Sequence, residues 1–129
     1  MKVLVVDDNH DAANSLSMLV QLLGHDVRTG FDGVEALDVA SEFHPDLVLL
    51  DLGMPRMDGY EACRRMRAQP WCVQTVVVAV TGWGRDDDRQ KTQMAGFDQH
   101  LVKPVAPDVI AGILNKLAPQ RSGQSSSPA

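Results

Sequence analysis

Three aspartates, a threonine and a lysine stand in this sequence where apolar runs stop. Val3-Leu4-Val5-Val6 runs into Asp7-Asp8, and Leu47-Val48-Leu49-Leu50 into Asp51. Val76-Val77-Val78-Ala79-Val80 runs into Thr81, and His100-Leu101-Val102 into Lys103-Pro104. Short apolar runs alternating with helical patterns predict a parallel sheet, and ligands bind beyond the carboxyl ends of such strands. Carboxylates, a hydroxyl and an ammonium gathered at that edge suit a divalent cation beside a phosphoryl group.

Asp7 and Asp8 would point to opposite faces of a continuing strand, so both reach one site only where the chain turns. Adjacent like charges disfavour each other's ionisation unless a cation compensates. Magnesium does so naturally, because it takes oxygen ligands, few carboxylates and several waters. Asp51 completes the carboxylate set, and the Gly53 carbonyl is a further candidate ligand. A lone Asp at a strand end is ordinarily a turn or N-cap residue; three at one edge call for another reason. Lys103 offers a compact charge for a carboxylate and then a phosphoryl oxygen, and the Thr81 hydroxyl can donate to another oxygen. A cis peptide before Pro104 would aim Lys103 into the site.

The elements that must position these groups follow from periodicity. Residues 9–23 form a first helix with Leu16, Leu19, Val20 and Leu23 on one face, stopped by Gly24. Residues 26–29 form a weak, polar strand suited to a sheet edge, and 34–43 a helix with Val34, Leu37 and Ala40 inward, ended before Pro45. The strand at 46–50 is apolar on both faces and so central. Asp58 caps a third helix that turns Ala62, Cys63 and Met66 to one side. The fourth helix, 85–95, is mostly polar, and Asp86, Asp87 and Asp88 near its start serve capping and solvation. A fifth strand covers 97–102, and Pro107 and Asp108 open a last helix with Val109, Ile110, Ile113, Leu114 and Leu117 inward. From Pro119 the composition turns to Gln, Ser, Gly and Pro, which predicts a disordered tail over 119–129 after a single domain at 1–118.

At 129 residues the chain can bury a real core, and its 44% apolar and 22% charged residues are those of a globular protein. A formal charge of −5 argues against nonspecific binding to nucleic acid or acidic membranes. No apolar stretch approaches the roughly 20 residues that span a bilayer, and a strand beginning at once leaves no room for a signal peptide. Cys63 and Cys72 lack metal-binding spacing and read as reduced structural cysteines. Together these predict a cytoplasmic protein.

Asp7-Asp8, Asp51, Met54-Pro55 with Asp58-Gly59, Thr81-Gly82 and Lys103-Pro104 resemble the receiver domain of two-component response regulators. The resemblance covers about residues 1–118. It implies an α/β doubly wound fold with a five-stranded parallel sheet of order 2-1-3-4-5, helices on both faces; a member of that family is a standard example of this order. It also implies phosphoryl transfer from a histidine kinase or histidine phosphotransfer protein to Asp51, with magnesium as cofactor. Asp8, Asp51 and the Gly53 carbonyl would hold the metal directly, Asp7 mainly through water, while Lys103 and Thr81 bind phosphoryl oxygens. Thr81 and His100 become the switch pair. Three positions before the Lys the family usually carries Tyr or Phe, so His100 departs from the pattern and brings a titratable group. Gly53 and Trp83 become candidates for setting the lifetime of the phosphorylated state, Trp83 by shielding it from water. The fourth helix, fifth strand and fifth helix become a dimer face.

Competing readings lack a needed residue or leave the acid set unexplained. Aspartate-nucleophile phosphohydrolases place a second Asp two residues after the nucleophile as general acid, where this chain has Gly53. A flavin-binding module needs a hydroxyl- and glycine-rich loop after the first strand, where Asp7-Asp8-Asn9-His10-Asp11 would repel phosphate. A docking module that is never phosphorylated would not need the acids together with Thr81 and Lys103. The sequence contains no helix-turn-helix and no enzymatic output domain. A stand-alone regulator and a receiver of a hybrid histidine kinase both remain open.

Overall fold

The computed structural model describes residues 1–54, 57–82, 88–103 and 105–126. The strands are β1 (Lys2–Val6), β2 (Asp26–Gly30), β3 (Leu47–Asp51), β4 (Val76–Thr81) and β5 (Gln99–Val102). They alternate with α1 (His10–Leu22), α2 (Gly33–Phe43), α3 (Gly59–Arg67), α4 (Asp88–Ala95) and α5 (Pro107–Ser126), and a 3-10 turn, Pro70–Cys72, precedes β4. All pairings are parallel and the order is β2-β1-β3-β4-β5. The polar β2 is therefore an edge, and β3, buried along its whole length, lies at the centre.

Side-chain alternation divides the core in two. Val3, Val5, Leu47, Leu49, Val78 and Val80 pack with Val20 of α1 and with Ile110 and Leu114 of α5. On the other face, Leu4, Val6, Val48, Leu50, Val77 and Ala79 pack with Ala36 and Ala40 of α2 and with Ala62, Cys63 and Met66 of α3. Cys63 and Cys72 are buried and free.

Local chemistry fixes the helix starts. The Asn9 side chain accepts from Ala12 N at 3.0 Å, Asp32 from Glu35 N at 2.7 Å and Asp58 from Glu61 N at 3.0 Å. Glu35 also reaches back, its Oε1 accepting from the N–H of Phe31, one residue before the cap. Past α1, Gly24 takes a φ of +94°, the left-handed stop that its position implied.

Several helix positions face otherwise than the spacing indicated. Val34, Leu23 and Val109 are 51%, 40% and 42% exposed, because Ala36 and Ala40, Val20, and Ile110 and Leu114 define the inward stripes. Met94 of α4 is 84% exposed, so Thr92 and Ala95 anchor that helix. Strand β5 starts two residues later than expected, since Phe97 N bonds back to Thr92 O and Phe97 joins the core. Helix α5 spans Pro107–Ser126. Residues 127–129 lie outside the described residues, as do 85–87 of the expected fourth helix.

Candidate functional site

Strand register brings the chemistry together. Val6 pairs with Leu50, Asp51 with Val80 and Thr81 with Val102. Asp7, Asp51, Thr81 and Lys103 therefore emerge along one edge of the three central strands and β5.

Asp7 still reaches across to β2, its N–H donating to Gly30 O at 3.1 Å. Its Oδ1 accepts from Asn9 N at 2.9 Å, a side-chain turn that bends the backbone after β1. This bend lets neighbouring carboxylates share a site, leaving Asp7 buried and Asp8 exposed. Asn9 thus both closes this turn and caps α1, a double role that the run Asp7-Asp8-Asn9 hinted at and the sequence reading did not single out. Asp51 repeats the device, with Oδ1 accepting from Gly53 N at 3.1 Å. Ligating oxygens of Asp7, Asp8 and Asp51 all lie within 4.8 Å of one another.

Lys103 ties the group together. Its backbone N–H donates to Thr81 O at 2.7 Å, holding the ends of β4 and β5 in line. Its Nζ donates to Asp7 Oδ2 at 2.8 Å and stands 3.6 Å from Asp51 Oδ2. Burial works against the ammonium, but its hydrogen bond to Asp7 and the charges of Asp51 and Asp7 together hold it above its usual range.

Asp51 is 6% exposed. Burial first, and then the charge of Asp7, push its carboxyl up to about 6, against the Gly53 N–H and Lys103. Among the described residues three carboxylates face one ammonium, so the ionised site carries excess negative charge. A hard divalent cation with oxygen ligands fits that excess and that donor set.

The Thr81 hydroxyl, 2% exposed, donates to the Gly82 carbonyl at 2.6 Å. His100 pairs with Ala79 in the sheet, two positions from the Thr81–Val102 pair on the same side of the strands. It is half-buried, and its Nδ1 has no hydrogen-bond partner among the described residues. The expectations placed on Trp83, on Pro55 and on the Lys103–Pro104 peptide lie outside the described residues.

One group missed in the sequence lies far from this edge. Arg67, last in α3, donates to Gly96 O, Cys72 O and Thr75 O and pairs with Asp98 at 2.7 Å. Asp98 also accepts from Val77 N at 2.9 Å. Arg67 bolts α3 to the starts of β4 and β5, and a lone Arg in a basic helix end gives no warning of this.

Comparison with known proteins supplies a wider frame. A family model described as response regulator receiver domain matches residues 3–115. Protein PilG of Pseudomonas aeruginosa is 30% identical over 119 residues, covering 92% of this chain and 88% of PilG. Sensor histidine kinase RcsC of Escherichia coli is 38% identical over 118 residues, 92% of this chain but 12% of the kinase. Three further curated relatives are described as transcriptional regulators, and the chain spans 43% to 47% of their length. The receiver domain of sensor histidine kinase PA1611 from Pseudomonas aeruginosa, crystallised with magnesium coordinated in its active site cleft, superposes with a TM-score of 0.81. It is 29% identical, over 90% of this chain and 95% of that domain.

Proposed function

Because this chain belongs to the response regulator receiver domain family, we propose that Asp51 accepts a phosphoryl group from a phosphohistidine. One observation carries the assignment: Asp7, Asp8 and Asp51 converge within 4.8 Å, with the Lys103 ammonium bonded to Asp7 and 3.6 Å from Asp51.

In the reaction an Asp51 carboxylate oxygen forms a bond to phosphorus as the bond from phosphorus to the donor imidazole nitrogen breaks. The imidazole leaves with the electron pair and takes a proton from solvent, and Asp51 becomes an acyl phosphate. Asp51 must be ionised to attack. Lys103 favours that form and then offers its ammonium to a phosphoryl oxygen. The two side-chain turns hold Asp7 and Asp51 in place before the donor arrives, so catalysis is positioning and electrostatics.

Asp8, Asp51 and the Gly53 carbonyl would hold magnesium, with Asp7 acting through water; the PA1611 receiver carries magnesium in its cleft. Bound there, the ion supplies positive charge that offsets the carboxylates and the incoming phosphoryl oxygens.

The new group adds roughly −1.5 to −2 charge and strong acceptor oxygens. Thr81 answers by turning its hydroxyl from the Gly82 carbonyl to the phosphoryl group, which draws in the backbone at the start of the β4–α4 connection. His100, two positions along the neighbouring strand and with a buried nitrogen unpaired among the described residues, responds to that shift. Differential contacts of this kind are what shift a two-state equilibrium. The donor is a histidine kinase or a histidine phosphotransfer protein, and the output is a protein partner rather than nucleic acid. The likeness to the RcsC segment and to PilG leaves room for either a hybrid-kinase receiver or a free-standing regulator, in both cases acting in the cytoplasm.

The test is intact mass after incubation with magnesium and acetyl phosphate. A gain of one phosphoryl group that disappears in Asp51→Asn and under chelation is expected. Equal gain in Asp51→Asn would overturn the assignment.

A further inference from the structure

Gly59 opens α3 without a positive φ, so what it supplies is space rather than conformational freedom. A Cβ at this position would stand 2.5 Å from the Asp51 carbonyl oxygen, 2.8 Å from Leu52 Cα and 2.9 Å from Leu52 Cδ2. The Leu52 side-chain tip can swing aside. The other two atoms are backbone of the phosphoacceptor and its neighbour, at the end of a strand buried throughout. Gly59 N also donates to Leu52 O at 3.2 Å, which ties the start of α3 to the same peptide. The segment leading into α3 is itself closely held. A Cβ on Gly33 would lie 2.8 Å from Met57 O and 2.9 Å from Met57 Cβ, so the segment leading into α3 already presses on the start of α2.

We propose that Gly59 is a positioning residue for phosphoryl transfer: the bare first turn of α3 seats the Asp51 backbone, and so aims the carboxylate at Asp7, Asp8 and Lys103. The inference rests on Asp51 being the phosphoacceptor. Adding one methyl group moves the Asp51 carbonyl by about 0.5 Å to lengthen its contact from 2.5 to 3.0 Å. Displacements of about 1 Å can cost on the order of a hundredfold in rate, so a drop of roughly tenfold or more is expected.

The experiment compares phosphorylation rate constants with acetyl phosphate and saturating magnesium for wild type, Gly59→Ala and Gly96→Ala. Gly96 has a φ of +103°, and a Cβ there would meet Arg67 Cγ at 2.9 Å, so Gly96→Ala strains the fold far from Asp51. Gly59→Ala should be slow while folded and should alter the fluorine NMR signal of beryllofluoride bound at Asp51. Gly96→Ala should lose stability but keep both the rate and the signal. A Gly59→Ala rate within twofold of wild type, or an equal loss in Gly96→Ala, overturns the proposal. Should Gly59→Ala fail to fold, Leu52→Val/Gly59→Ala removes the Cδ2 contact and keeps the carbonyl contact. That double variant must then be slower than Leu52→Val alone, and equal rates refute the role. Wild-type protein that takes up no phosphoryl group contradicts the function itself, and the positioning role falls with it.

Discussion

At the scale of the residue, phosphorylation turns on Asp51 carrying its charge in a buried place. Its folded pKa of about 6 lies above the ordinary 3.8, so the folded protein binds that proton more tightly than the unfolded chain. The stabilisation is therefore complete below about pH 4 and is lost as the pH rises through 6. Thermal melts in chelator should fall in midpoint between pH 4 and pH 7. Asp51→Asn should flatten that fall and be the more stable protein at pH 7. Magnesium added at pH 7.5 should raise the wild-type midpoint by mass action and leave Asp51→Asn nearly unmoved. Lys103→Met removes the hydrogen bond to Asp7 and the charge 3.6 Å from Asp51. It should slow phosphorylation by about a hundredfold, on the scale of a lost oxyanion donor, while magnesium-induced stabilisation persists. A rate unchanged by Lys103→Met would remove the ammonium from the mechanism.

At the scale of the element, strand ends were easy to read and helix faces were not. The apolar runs ending in Asp7, Asp51, Thr81 and Lys103 forecast a parallel sheet and the edge where its strands end, because continuous apolar runs and their termination are local signals; the order β2-β1-β3-β4-β5 was implied by the family resemblance. Val34, Leu23 and Val109 misled, because small Ala36 and Ala40 let α2 approach the sheet and larger neighbours fall to the margin. The turn that joins Asp7 to Asp8 was required by the chemistry, yet its agent, Asn9, stood only as the first residue of a helix. Arg67 was illegible because its partners are carbonyls separated from it by up to 29 residues. Arg67→Ala takes the cation from Asp98 and a donor from the Gly96, Cys72 and Thr75 carbonyls, and chemical denaturation should show a loss of about 2–4 kcal/mol. A loss below about 0.5 kcal/mol would make the network ornamental. Beside it, burial pushes the Cys63 thiol up to about 12, so native protein at pH 8 should resist alkylation there until denaturant is added.

At the scale of the whole molecule, phosphorylation has to become a surface change. Helix α4 is anchored by Thr92 and Ala95 while Met94 is 84% exposed, and Val102 and Val109 are 45% and 42% exposed on β5 and α5. These are the three elements in which a phosphorylation-dependent contact is expected. Phosphorylated protein should sediment as a dimer and Met94→Glu should return it to monomer; a monomer in both states would leave output to a different protein. The most direct measurement of the central claim uses a phosphoryl donor bonded through nitrogen, as in phosphohistidine. Protein incubated with phosphoramidate and magnesium would be reduced with borohydride, which converts an acyl phosphate to an alcohol, and then mapped by peptide mass spectrometry. Homoserine at position 51, absent without magnesium, is the predicted result. Reduction at Asp7 or Asp8, or at no aspartate while phosphoryl uptake is seen, would contradict it.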